Sequence, residues 1–143
     1  MKRNKLIIQN IETRDKDGYE GIYIKTNVAE LKFEIDSEQS CCENFGYFSY
    51  NEFDKPLEHF IGAEIYEVSV SNNEKENKKV FDATKDVEHC IYDIDAAVFI
   101  NIKTSKGKLQ IVIYNEHNGY YGHSIRYSCM DTTGKINEKD TWR

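Results

Sequence analysis

The sequence predicts a mainly β member of the α+β class, an antiparallel sheet of consecutive hairpins carrying one short helix. Three observations point there. Apolar residues recur at every second position through most of the chain, the period of a half-buried strand. A single proline and eight glycines interrupt 143 residues, which leaves no room for a long flexible linker. Ten tyrosines and seven phenylalanines supply bulky core material that the aliphatic content alone would not. Residues 1–130 are expected to form one β-rich domain, with a polar tail over 131–143 that frays unless Trp142 docks.

The elements follow in order. Leu6 to Ile11 reads as a first strand with a basic start, because its apolar run stops at Ile8, short of the roughly 7–15 residues of a signal segment. Gly21–Thr26 and Glu30–Ile35 read as a hairpin across Asn27-Val28-Ala29, with Leu31, Phe33 and Ile35 inward and Lys32 and Glu34 outward. Asp54 to Ile61 reads as a short helix, capped by Asp54, tolerant of Pro56 in its first turn and ended by Gly62. Ala63 to Val70 is a further strand, and the charge-dense 71–79 reads as an exposed loop. Ala96–Thr104 turns at Lys106-Gly107 and returns as Leu109–Asn115, with Ile102 expected opposite Ile111 and Ile100 opposite Ile113. A three-residue loop, Asn118-Gly119-Tyr120, then sets Ile113 against Ile125, Ile111 against Tyr127 and Leu109 against Cys129. A two-residue loop would bury Ser124 there, so the apolar match favours the longer, bulged loop and a three-stranded meander.

Charge and cysteine usage bound the function. The net charge of −6 is concentrated: residues 30–67 hold ten acids against Lys32 and Lys55. Direct nucleic-acid binding, which needs clustered Lys or Arg, is disfavoured. The acidic middle suits a basic partner surface or, more plainly, a solvated face. No apolar run reaches the length of a membrane span, and a cytoplasmic location is expected, with Cys41, Cys42, Cys90 and Cys129 reduced.

Two blocks stand out. Asn115 to His123 is the densest polar and aromatic cluster, and the meander register sets Asn115 and His123 side by side at the margin of the core face. With Asn118, Tyr120 and Tyr121 it forms either a pocket or contact loop, or a hairpin whose Asn and His satisfy buried backbone groups. The second block follows a strand as Cys42, Glu43, Phe45, Tyr47 and Phe48, with Tyr50 and Phe53 beyond; a loop this aromatic either tucks into the core or forms a partner surface. Zinc fits poorly, because adjacent Cys41 and Cys42 point to opposite faces of an extended chain and His117–His123 is outside the usual spacing. A thiol enzyme would rest on Cys42 beside His123. No nucleophile elbow and no Gly-rich phosphate cradle is present, so no cofactor and no catalysis are expected.

The strand ending in Cys41-Cys42-Glu43, the Phe60–Ile65 step, and Thr104–Gly107 leading to Asn115–Gly122 together resemble a group of small phage and prophage proteins of unknown function. The resemblance spans roughly residues 20–128 and leaves out 71–79 and the tail. It implies a phage or mobile-element setting and carries no catalytic residue. In that setting the expected role is antagonism of a host defence system, in the host cytoplasm, by occluding a basic surface of a host protein with an acidic, aromatic face. The alternative is sequestration of a small nucleotide-like ligand by the 115–123 hairpin, which in an acidic protein requires Arg126 and Lys103 to line the pocket.

Overall fold

The computed structural model describes residues 5–38, 44–71, 74–84, 96–116 and 123–142. Alternating apolar residues form nine strands: β1 (Leu6–Lys16), β2 (Tyr19–Thr26), β3 (Glu30–Asp36), β4 (Asn44–Tyr50), β5 (Glu64–Val70), β6 (Ala97–Thr104), β7 (Gly107–Glu116), β8 (Ser124–Met130) and β9 (Ile136–Trp142). All the pairings are antiparallel, and the strand order is β4-β7-β6-β5-β1-β2-β3-β8-β9. One α-helix, α1 (Glu74–Thr84), and one 3₁₀ turn, Leu57–Phe60, complete the described residues.

The sheet doubles back on itself, so that β2 and β3 lie against β4 and β7. One core fills the space between the two layers. Ile22, Ile24, Leu31, Phe33 and Ile35 from one layer meet Ile100, Ile102, Leu109, Ile111 and Ile113 from the other. Burying each such side chain contributes about 1.5–3 kcal/mol, which explains how alternation alone drives this layering. Strand β1 is the joint. Its first residues pair with β5 and the rest pair with β2. At the changeover the Asn27 side chain accepts from the Ile7 amide at 2.8 Å and donates to the Lys5 carbonyl at 3.0 Å. Gly62, at φ +90°, donates its amide to Ile8 at 2.8 Å and so fits the left-handed turn that leads into β5.

A second, smaller core lies on the outer face of β4, β7 and β6, where Val80 of α1 covers Phe48, Phe99, Val112 and Tyr114. The helix is held at its start by Lys108, whose ammonium donates to Glu76 at 2.7 Å.

Several expectations change. The hairpin across residues 27–29 forms with Ile24 opposite Leu31, and Leu31, Phe33 and Ile35 are inward as read. The β6–β7 turn sits one residue earlier than expected, so Ile102 faces Leu109 and Ile100 faces Ile111. That shifts the register by two, and an even shift keeps every side chain on its face. The meander does not form: β7 pairs with β4 on its far side, and β8 pairs with β3 and β9. The physical reason is that β7 is apolar on both faces: the meander would set polar Arg126 beside Val112 on the outer face, whereas β4 brings Phe48 there to join Val112, Tyr114 and Val80. The aromatic segment read as a loop is strand β4, the helix read over 54–61 is only the 3₁₀ turn 57–60, and part of the loop read over 71–79 is α1. Residues 136–142, read as a fraying tail, are edge strand β9, with Trp142 exposed.

Candidate functional site

Strand alternation splits the β4 aromatics between two environments. Phe48 turns outward into the core beneath α1, with its ring 6.1 Å from that of Tyr114. Phe45 and Tyr47 turn inward and pack at the margin of the main core. Phe45 stands opposite Asn115 of β7, so the two share a face, and Asn115 is fully buried.

His123 arrives at the same place from the start of β8. Its imidazole stacks on the Phe45 ring, centroids 4.3 Å apart and planes 26° from parallel. Its Nδ1 lies 2.5 Å from the Asp36 carbonyl oxygen at the end of β3. A carbonyl can only accept, so Nδ1 carries the proton and donates. Asn115 and His123 therefore converge on Phe45 although their strands do not pair. Asn118, Tyr120, Tyr121, Cys42 and Glu43 lie outside the described residues, and the Cys42–His123 pair with them.

Beside this cluster a cleft of about 540 Å³ opens between β4 and the β1–β2 hairpin. Phe45 through Ser49 line it from β4 and Thr13, Glu20 and Ile22 from the hairpin, and Leu57 and Tyr114 complete the lining. Burial pushes the Glu20 carboxyl above its ordinary range, Asp15 adds to the rise, and His123 opposes it. Burial also raises the Tyr47 phenol, with Glu20 adding to the rise, the hydrogen bond with Thr13 opposing it and Asp15 contributing last. Among the described residues Glu20 has no salt bridge, so this is an aromatic cleft with an acid on its wall that no cation contacts directly.

Glu20 was missed in the sequence, although a signal for it exists. It stands two residues before Ile22 and four before Ile24, so period-two reading places a carboxylate in the inward stripe. Thr13 follows Ile11 by the same rule.

The cations that an anionic ligand would need lie elsewhere. Arg126 is on the opposite face of the sheet, over the Tyr19 ring at 4.0 Å and near Glu34 at 3.7 Å and Asp140 at 3.8 Å. Lys103 pairs with Glu67 at 3.0 Å. Neither lines the cleft. Among the described residues no group of three or more His, Cys, Asp or Glu side chains is placed to hold a metal ion, and no helix is long and apolar enough to cross a membrane.

No curated protein and no solved structure matches this chain. A family model does, over residues 4–127, which takes in both layers of the core and the β4 cleft and stops before β9. The chain belongs to the family of the domain of unknown function DUF7448.

Proposed function

We propose that this protein is a non-catalytic binding domain of phage or mobile-element origin that antagonises a host defence system by occluding a basic surface of a host protein. The observation that carries the reading is the β4 cleft, in which inward aromatics stand beside a Glu20 carboxylate that has no salt bridge among the described residues. Aromatic anchors supply most of the binding energy at such surfaces, while charge steers the encounter and selects the partner. The balance of −6 adds long-range attraction to a basic target. The phage setting rests on the resemblance carried by Cys41-Cys42-Glu43 and Asn115–Gly122.

The nucleotide-sequestering alternative is less favoured, because Arg126 and Lys103 are engaged on other faces. Among the described residues no lysine or arginine lines the cleft, so an anionic ligand would meet Glu20 and Asp15 with only the His123 imidazole to offset them.

The test is capture of host proteins on the immobilised chain beside its Glu20→Lys and Tyr47→Ala variants. The expected result is a host protein with a basic surface that is retained at low salt, released as salt rises, and lost with both variants. Equal capture by all three chains removes the cleft from the function. Neighbouring anti-defence or phage structural genes would support the setting, and metabolic neighbours would undermine it.

A further inference from the structure

Resting on the reading of the cleft as a binding site, we propose that the partner is engaged by strand addition: an extended protein segment carrying a lysine or arginine pairs with the free edge of β4. The cleft is lined by Phe45, Gly46, Tyr47, Phe48 and Ser49 in unbroken succession. Successive side chains of a strand point to opposite faces, so a cavity lying over one face would touch every second residue. A cavity touching all five runs along the strand's edge, where the backbone N–H and C=O groups of Phe45, Tyr47 and Ser49, the residues not turned toward β7, project without a neighbouring strand among the described residues. Strand β4 ends the sheet, and among the described residues β7 is its sole neighbour.

The composition of this edge is the second observation. Natural sheets guard an open edge with charge, lysine above all, because an unguarded row of backbone groups is a template for another chain. The opposite edge follows that rule: β9 carries Glu138, Lys139 and Asp140. Strand β4 reads Asn-Phe-Gly-Tyr-Phe-Ser-Tyr, without one charged residue. Gly46 presents no side chain, and an added Cβ would stand 3.1 Å from the hydroxyl of Tyr114, its partner on β7, so the glycine leaves room on that face for the Tyr114 ring.

Charge selects the occupant. The facing wall holds Glu20 with Asp15 beside it. A segment lying along β4 sends alternate side chains toward that wall, and a basic one there meets an acid that has no other salt bridge among the described residues. A second copy of this chain is the poorer occupant, because it would bring its own Glu20 and Asp15 and a further net −6 to the same place. Main-chain hydrogen bonds then give affinity and the side chain at Glu20 gives selectivity, the usual division in strand addition.

The experiment follows backbone amide exchange by NMR on the full chain. The probes are an end-blocked nonapeptide of alternating threonine and valine with a central lysine, and its counterpart with a central glutamate. The lysine peptide is expected to slow exchange at alternate amides within Phe45–Ser49. The glutamate peptide is expected to bind at least about tenfold more weakly, a gap that Glu20→Gln narrows. Strand addition is overturned if the lysine peptide does not bind, if it binds without protecting alternate β4 amides, or if sedimentation shows the chain pairing with itself through those amides. Capture of a folded basic protein in a Tyr47-dependent way, with β4 amides unchanged, also overturns strand addition but leaves the occlusion reading standing.

Discussion

Glu20 of β2 and Glu34 of β3 lie on adjacent strands of one sheet, face opposite ways, and are treated in opposite fashion. Glu34 is 5% exposed and satisfied: it accepts a hydrogen bond from the Tyr23 hydroxyl and faces the Arg126 guanidinium at 3.7 Å. Around it, Arg14 and Arg126 lie over the Tyr23 and Tyr19 rings at 4.5 and 4.0 Å, and Arg14 also reaches Glu30 at 2.9 Å. Burial, and then the bond to Glu34, push the Tyr23 phenol far up, so it stays a donor. Glu20 has Asp15, Tyr47 and the His123 imidazole for company, and among the described residues it forms no salt bridge. The contrast teaches that a carboxylate closed into a network of its own is structural, whereas one left open on a cleft wall is available to something else.

The strongest way to break the comparison is at Gly21, which stands opposite Glu34. A Cβ there would come 2.0 Å from the Phe33 carbonyl oxygen and 2.6 Å from the Glu34 Cα, so the two strands would have to part. Gly21→Ala is expected to lower stability by about 3 kcal/mol or more, read by denaturant unfolding. Tyr23→Phe comes next. It removes the donor to a buried carboxylate and is expected to cost about 1.5–3 kcal/mol, with β4 amides undisturbed.

Glu20→Gln should move stability the other way. The folded-state pKa of Glu20 is raised, so the folded chain holds that proton more tightly than the unfolded one. Its contribution is therefore most favourable at low pH and declines as pH rises through the region above 4.5. At neutral pH, Glu20→Gln is expected to raise the unfolding free energy by less than about 1 kcal/mol, read by denaturant unfolding, and to flatten that part of the pH profile. Loss of stability on this change would place Glu20 with Glu34 as a structural residue.

The smallest effect belongs to the guarded edge. Asp131 accepts from the Thr133 hydroxyl and from the Thr133 and Lys135 amides at the β8–β9 turn, and these bonds, the Thr133 hydroxyl first, hold its pKa down to about 2. Its contribution is present above 3.8 and is lost as pH falls from there toward 2. Asp131→Asn should weaken protection of β9 amides at neutral pH and remove their sensitivity to acid in that window.

Much of this was legible in the residues. Period-two alternation located β2, β3, β6 and β7 and assigned Leu31, Phe33, Ile35, Ile100, Ile111 and Ile113 to the interior, because the side-chain period of a strand depends on the chain alone. Which strand lies beside which was not legible. Pairing β7 with β8 satisfies the inner face as well as pairing it with β4, and only the outer residues Val112 and Tyr114, which need Phe48 and Val80 over them, separate the two. The charged run opening α1 hid a helix that places Val80 against the sheet. Asn115 and His123 were read as neighbours by way of a hairpin that does not exist, and they meet at Phe45 instead. The sequence by itself determined the strands, their faces and the acidic balance; only the folded chain decided the neighbours, because hydrogen-bond ladders are interchangeable between strands and the choice falls to which arrangement buries both sides of β7.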